Sequence, residues 1–591
     1  MIIAGIGDVT HDSSVYLLKN TKILSAIETE RLSRVKHGLR PDPTKYTIHE
    51  QGTDFQTHLP SCQDREEQHL RNLDYCLSAA QHSRDDLQAI FVSSLFKEPV
   101  FSRQAPIHAP IHCLEASHHL IHAASSFYTS PFDSAAILAI DGYGYVTPHQ
   151  TSDSVLFAQG KGSILTPLKT IQGSFHQTLE EKSAHFEPGH MIFNDSLGVF
   201  YQNITMLLGL GYFNEGKTMG LSAYGRWNPT FASLEDHITL LPGGNLRIDN
   251  RSIFERVSAW IESIRKTHPT PEKQFPFWAD LAFMHQHWLE KMIFHLCRGL
   301  YDMTGESSLC LTGGVALNSV ANGKILAHTP FNAIHVIPPT GDNGIGLGAA
   351  LYGAHYHLGL PRKPLKKFSP YLGKRYSNVD IALSMKHTPE FTRLPNPLKL
   401  SNEALAAKLL AEGHLLAWFH GRSEIGPRAL GSRSLLADPR SSSIRDYVNA
   451  NVKKREFFRP FAPACLAEEA EKYFSILPHS ENGGLPFMLE IREATPLALE
   501  TIPAVIHTDG TARVQIIDPE THPEFHALVV AFKAQTGVGV VLNTSFNGAH
   551  EPMVETPEEA IQCVLKWPVD VIFMNGEGWI KTQSLQTVLG N

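Results

Sequence analysis

Two imidazoles four residues apart, His118 and His122, stand in the stretch SHHLIHAASSFY, whose composition predicts a helix. Residues at that spacing share a helix face, so both rings can address one divalent metal while His119 turns away. In a chain with 32 histidines, the same pair also suits a merely polar helix face. Two carboxylates sharpen the metal reading: Asp141 ends an apolar strand in AIDGYG, and Asp342 precedes a helix in PPTGDNG. Beside glycine, each is equally a natural cap or turn residue. As a set, His118, His122, Asp141 and Asp342 offer two nitrogens and two carboxylates, a donor mixture suited to iron(II), manganese or zinc. Such an ion could hold phosphate oxygens beside an acceptor hydroxyl.

Three further patterns point to anions. Thr312, Gly313 and Gly314 lie between a strand and a helix, where free N–H groups and the positive helix end favour phosphate. NEGKTMGLSAYG supplies Glu215, Lys217 and Gly220, with a lysine to neutralise phosphate and glycines that permit close backbone approach. From Arg422 to Arg459 there are nine basic residues against four acids, interleaved with Gly, Pro and Phe in EIGPRALGSRS and REFFRPFAP. No regular amphipathic helix explains that interleaving, and a solvated charged face is the ordinary alternative. Arginine forks grip phosphate bidentately, so Arg428, Lys453, Lys454 and Arg455 mark a polyanion pocket. Arg513 in TDGTAR and Asn543 and Ser545 in NTSFN add donors. Adjacent residues usually face apart, which leaves open whether Lys453 or Lys454 points inward.

The elements that must position these groups read as strand and glycine-turn units. IIA, SSVYLL and ILSAIE form one meander, and AAILAID, SVLFAQ and SILTPLKTI repeat the plan. The weak internal duplication predicts an α/β protein with an actin/hexokinase-type (ASKHA-like) ATPase fold, its two halves facing a nucleotide cleft. A basic, proline-marked stretch between Pro361 and Pro397 predicts a junction, giving domains 1–370 and 371–591. Beyond it, strands such as LLAWFH and VGVVLN alternate with helices such as EFHALVVAFKAQTG, a second α/β domain. The segment from about 228 to 277 carries no clear pattern.

With 591 residues, 42% of them apolar and 19% charged, the chain is globular and large enough for two cores. A net charge of −8 argues against broad attraction to nucleic acid. Seven scattered cysteines without a CxxC pair suit a reducing cytosol. No signal peptide or membrane span is visible, so the expectation is a cytoplasmic protein.

These motifs, in order, resemble the NodU/CmcH/TobZ O-carbamoyltransferases along nearly the whole chain: THDSS, SHHLIHAASSFY, AIDGYG, EGKTMGLSAYG, LTGGVALN, TGDNGIGLGAAL, GPRALGSRS, KKREFFRPFAP, TDGTARVQ and NTSFN. The resemblance implies a C-terminal YrdC-like domain in which carbamoyl phosphate and ATP, the latter with Mg, give carbamoyl adenylate. It further implies transfer of the carbamoyl group to a small-molecule hydroxyl in the N-terminal domain. There a metal, typically Fe(II), sits on residues matching His118, His122, Asp141 and Asp342. The adenylate contacts Gly313, Gly314, Asn318 and the Lys217 loop, and Arg428, Lys453, Arg455, Arg513 and Ser545 hold phosphates. His11, with Asp12 beside it, becomes the general base for the acceptor. The first motif departs from the family's Gly-His-Asp in having Thr10 before His11. A homodimer is compatible with this reading, and no residue identifies the acceptor. The competing readings are a threonylcarbamoyl-adenylate, tRNA-modifying fusion, a hydrogenase-maturation carbamoyltransferase and a non-catalytic nucleotide sensor. The maturation enzyme demands an acylphosphatase module and paired CxxC zinc sites, neither of which the sequence contains.

Overall fold

Apolar strands broken by short turns account for the start of the chain. The computed structural model describes residues 1–38, 61–96, 99–176, 192–476 and 483–589. It opens with three antiparallel strands, β1 (Ile2–Asp8), β2 (Ser14–Lys19) and β3 (Lys22–Glu28). After α1 (Thr29–Ser33) and α2 (Cys62–Ala79), β4 (Leu87–Ser94) pairs parallel to β1, and β5 (Ile111–Cys113) parallel to β4. The order is β3-β2-β1-β4-β5.

The plan then recurs. Helix α3 (His118–Tyr128) leads into the meander β6 (Ser134–Ile140), β7 (Thr151–Lys161) and β8 (Ile164–His176), with the short β9 (Ile192–Phe193) at its edge. Helices α4 (Leu197–Leu207) and α5 (Glu215–Ser222), the hairpin β10 (Ile238–Leu241) and β11 (Asn245–Ile248), and helices α6 (Asn250–Thr267) and α7 (Pro271–Thr304) follow. Strand β12 (Ser308–Thr312) returns parallel to β6; after α8 (Ser319–His328), β13 (Ala333–His335) pairs parallel to β12, and α9 (Ile345–Tyr352) closes the unit. From β8 inward the order is β8-β7-β6-β12-β13, the first sheet's connectivity over again, as the actin/hexokinase-type reading expects. The stretch that lacked a sequence pattern becomes the hairpin and α6, whose buried Ile253, Phe254, Val257, Ile261 and Ile264 form one apolar stripe.

Helices α3 and α9 pack on each other between the sheets, α9 on β1 and β2, α3 on β6 and β12. Glycine permits this approach: a Cβ at Gly348 would lie 2.1 Å from the Ile121 carbonyl oxygen, and one at Gly5 would lie 2.1 Å from that of Gly346. Strand β1 is buried at every residue and runs on through GIGD, which in sequence reads as a glycine turn after IIA; the close approach of α9 at Gly5 and Gly7 accounts for the glycines there.

The C-terminal part is an eight-stranded mixed sheet. Its strands run, in spatial order, Phe391–Arg393, Glu577–Lys581, Val571–Met574, Leu416–Phe419, Arg433–Ala437, Val540–Ser545, Ala462–Leu466 and Gln515–Ile517. A separate ribbon, Tyr371–Arg375 with Arg422–Glu424, leans on β3. Each part has its own apolar core, but Leu372, Ile425, Leu430 and Phe487 to Leu489 pack into the N-terminal one. The two parts are therefore joined by an interface that mixes apolar packing with buried polar contacts. No described helix is long and apolar enough to cross a membrane.

Candidate active site

The four candidate metal ligands converge from three elements. Ser117 caps α3 by accepting from the Leu120 N–H at 3.2 Å, so the helix begins at His118 and places His122 one turn on. Asp141 follows the last residue of β6, and Asp342 opens the turn before α9. The Nε2 atoms of His118 and His122 lie 3.1 Å apart. His118 Nε2 is 3.4 Å from Asp141 Oδ2 and 3.2 Å from Asp342 Oδ1; His122 Nε2 is 3.1 and 3.4 Å from the same atoms. Ligands about 2.1 Å from one ion stand roughly 3.0 to 3.5 Å from each other, so this spacing fits a divalent cation. The chemistry of the set agrees, because buried Asp342 and half-buried Asp141 facing two imidazoles need added positive charge. With protons alone supplying it, His118, which burial would make less basic, is raised to about 10 by Asp342 and Asp141.

His11 stands at the edge of this cluster. Its Nε2 is 3.6 Å from Asp342 Oδ2, and its Nδ1 is 3.1 Å from Asp12 Oδ2. That bond makes Nδ1 the protonated nitrogen of the neutral ring and leaves the Nε2 lone pair toward the cluster. Burial opposes the charged form, but Asp342 and then Asp12 raise His11 to about 9. Asp12, in the left-handed region at φ 54°, also accepts from His37 Nδ1 at 2.9 Å. The Phe213 ring covers both imidazoles at 4.5 and 5.2 Å. With Thr10 in place of glycine, His11 thus still reaches the metal cluster.

The Gly-Gly turn abuts the same carboxylates: Gly314 N–H donates to Asp141 Oδ1 at 3.2 Å. At Gly313 the backbone has φ 88°, and a Cβ would lie 2.1 Å from the Ile140 carbonyl oxygen. The EGKTMG segment, expected as a loop against phosphate, is instead helix α5, and it forms the wall toward the C-terminal part. Lys217 pairs with Glu456 at 3.0 Å, a Cβ on Gly216 would lie 4.0 Å from an Arg428 guanidinium nitrogen, and Gly220 faces Pro460. Glu215, raised chiefly by burial, lies in the field of His37, His11 and Asp12.

Beyond that wall is a cationic recess. Arg428, Arg455, Arg459 and Arg513 share one another's fields. Burial first and neighbouring arginines second lower Arg428 to about 10 and Arg455 to about 9, and hold Arg513 far below its ordinary value. The Nε atoms of Arg428 and Arg513 are buried without partners. Among the described residues, Glu456 is the one carboxylate set amid these arginines, against four guanidinium groups. Like charges so placed require an anion.

The recess does not include every residue the sequence nominated. Lys453 is buried, and its ammonium donates to the Ser545 carbonyl and to Asn547 O and Oδ1 at 3.1 and 3.0 Å, so it braces the NTSFN loop. Lys454, at φ 46°, is exposed and turned away. Asn543 donates to Ala429 O and Gln515 Oε1 beneath the Arg428 loop, and Ser545 Oγ donates to Asn547 Oδ1. Asn318 caps α8 and exchanges amide bonds with Gln286, which occupies its oxygen twice and one of its two amide hydrogens. Conversely, Lys36 and His37 were not nominated. Burial, with Arg459 and Arg428 pushing the same way against Glu30, lowers Lys36. Their sequence signal is faint, a Lys-His pair in an unpatterned turn.

A family model described as Carbamoyltransferase N-terminus matches residues 2–351, and one described as Carbamoyltransferase C-terminus matches residues 407–581. The chain is 32% identical over 591 residues to nodulation protein NolNO of Sinorhizobium fredii, covering 95% of this chain and 77% of that protein. It is 36% identical over 250 residues to the 3'-hydroxymethylcephem-O-carbamoyltransferase of Amycolatopsis lactamdurans, covering 42% of this chain and 44% of that one. Among solved structures it is similar to HypF of T. kodakarensis, with TM-score 0.37 and 16% identity over 61% of this chain and 48% of that one. With a family model matched to each half, the chain belongs to the carbamoyltransferase family.

Proposed function

We propose that the chain is an ATP-dependent O-carbamoyltransferase that works in two steps at two adjoining sites. Residues 371–591 are the YrdC-like adenylating domain, and residues 1–370 the transfer domain. In the first step water splits carbamoyl phosphate into carbamate and phosphate. A carbamate oxygen then attacks the α-phosphorus of ATP, pyrophosphate leaves, and carbamoyl adenylate forms. Arg428, Arg455, Arg459 and Arg513 hold the phosphates, with Mg accompanying ATP. In the second step the acceptor hydroxyl oxygen attacks the carbamoyl carbon and AMP leaves, yielding the carbamate ester. His11 Nε2 takes the hydroxyl proton, and Asp12 holds the ring in the tautomer that can accept it. Gly314 and its neighbours approach the adenylate by backbone alone. A divalent ion, Fe(II) or another, held by His118, His122, Asp141 and Asp342 would polarise the hydroxyl and offset the carboxylates that keep His11 protonated. The acceptor is a small molecule bearing a hydroxyl.

The observation that carries this reading is the shared wall: α5 has Glu215 in the field of His11 and Asp12, and Gly216 and Lys217 against Arg428 and Glu456. Incubation with ATP, carbamoyl phosphate and Fe(II) releases pyrophosphate, and Arg428→Ala abolishes the release. Undiminished release from that variant would remove the recess from the chemistry.

A further inference from the structure

A hydroxyl and an adenylate that meet across two domains require the two loops carrying their sites to keep a fixed separation. One side chain touches both loops. Glu28, at the end of β3, is 3% exposed. Its Oε1 accepts from Asn343 Nδ2 at 2.6 Å, one residue from the metal-site Asp342. The same oxygen accepts from the Gly426 N–H at 3.0 Å, two residues before Arg428. Its Oε2 faces an Arg31 guanidinium nitrogen at 3.1 Å, and that nitrogen donates to the Gly426 carbonyl at 3.0 Å. The Arg428 loop lies hard against the N-terminal part here, since a Cβ at Gly426, φ 102°, would come 2.6 Å from Pro338 Cβ. Its far end has an anchor of its own: Glu424 Oε1 accepts from the N–H groups of Leu430, Ser432 and Arg433 at 2.6, 3.3 and 3.3 Å.

We infer that Glu28 is a positioning residue that ties the Asp342 loop to the Arg428 loop, closing the seam through which carbamoyl adenylate would otherwise escape between the two steps. The inference rests on the two-step reading above. A buried carboxylate is a costly way to fill space, and apolar packing would stabilise the interface at least as well. What the carboxylate adds is one oxygen shared by two N–H donors, a contact with little tolerance for slippage. Without it the Arg428 loop keeps its Glu424 anchor, so adenylation continues. The seam loosens, and adenylate that leaves is hydrolysed by water to AMP and carbamate.

The test separates the two steps without any acceptor. Wild type, Glu28→Ala, Glu28→Gln and Asn343→Ala are given α-labelled ATP, carbamoyl phosphate and Fe(II). Pyrophosphate formed is compared with labelled carbamoyl adenylate and AMP that pass a spin filter. Wild type retains the adenylate. Glu28→Ala and Asn343→Ala release pyrophosphate at the wild-type rate but leak label about tenfold faster or more, the factor that losing one hydrogen bond to a charged group sets on the closed seam. Glu28→Gln keeps an acceptor oxygen for both donors but turns an amide N–H toward Arg31, and so restores part of the retention that Glu28→Ala loses. Asn343→Ala, which deletes one contact from a side chain that is not a ligand, carries the comparison if Glu28→Ala does not fold. Pyrophosphate release and retention falling together, or leakage unchanged, overturns the inference. A wild-type protein that forms no pyrophosphate refutes the two-step reading itself, a result of a different kind.

Discussion

Gly314→Ala is a perturbation whose first consequence can be traced atom by atom. A Cβ at this position meets only Asp141, with Oδ1 at 2.8 Å and Cγ at 3.9 Å, and nothing else within 4 Å. Carbon and oxygen do not approach that closely, so Asp141 must withdraw by about half an ångström. Because the obstructing atom is the end of a side chain, folding is spared. Asp141 Oδ2, however, stands 3.1 and 3.4 Å from His122 and His118, and metal ligands tolerate displacements of only about 0.2 Å. The shift also disturbs the bonds from Gly314 and Gly142 N–H that orient the carboxylate. Lost orienting contacts of this sort typically weaken metal binding by about 10- to 100-fold, or roughly 1.4 to 2.7 kcal/mol. Gly341→Ala is the matched control. It too neighbours a ligand, but its backbone is extended and the nearest atoms to a Cβ lie at 3.8 Å. Anaerobic titration with Co(II) against a competing chelator, read by absorbance, gives both affinities independently of turnover. If Gly314→Ala holds Co(II) as tightly as wild type and Gly341→Ala, Asp141 is not a ligand and the metal centre has been assigned wrongly.

The recess makes its own prediction: pyrophosphate raises the melting temperature of the wild type, by about 2.7 kcal/mol of stability at 100 times its Kd, and Arg513→Ala abolishes the rise in a calorimetric scan. The adjacent lysines separate cleanly. Lys453→Ala takes the ammonium from the Asn547 carbonyl, leaves the Ser545 carbonyl only its Asn547 N–H, and costs about 2 kcal/mol in urea unfolding together with pyrophosphate release, whereas Lys454→Ala changes stability by less than about 0.5 kcal/mol. His285 is 1% exposed, bonds through Nδ1 to Leu281 O at 2.9 Å, and is lowered by burial from 6.5 to about 4. Its folded value lies below the unfolded one, so its contribution to stability is complete above pH 6.5 and is lost as pH falls toward about 4. His285→Phe therefore flattens the acid limb of urea-unfolding free energy by about 1.4 kcal/mol per pH unit over that window, and an unchanged slope would assign the limb to other groups.

Features that depend on local periodicity were legible in the sequence; those that depend on which loops meet were not. Both meanders announced themselves because burial of both sheet faces favours apolar strands, as in AAILAI of β6 and in IIA of β1, although the rest of β1, GIGD, reads as a turn. The candidate metal ligands could be nominated by type and spacing, since His118 and His122 are neighbours on one helix and each carboxylate ends an apolar strand or opens a helix. The basic recess was visible as an excess of charge, but charge counting cannot say which cations face an anion. Lys453 and Asn543 have the right chemistry for phosphate, yet serve as braces, because a buried loop must satisfy its own carbonyls before it can present anything. Asn318 is spent in the same way on capping α8 and pairing with Gln286.

The opposite error, silence where a residue matters, has the same origin. Nothing local distinguishes Glu28 from any other acid at the end of a strand. Its partners Asn343 and Gly426 lie 315 and 398 residues away, and only the tertiary fold puts their donors on one oxygen. Lys36 and His37 are likewise placed by contacts with Asp12, and by the fields of Arg428 and Arg459, rather than by their neighbours in sequence. Sequence motifs in a two-domain enzyme therefore identify the two reacting centres more readily than the struts between them. On the two-step proposal the struts decide whether an adenylate made in one centre reaches the other, and their side chains must be sought among buried polar groups that bridge domains.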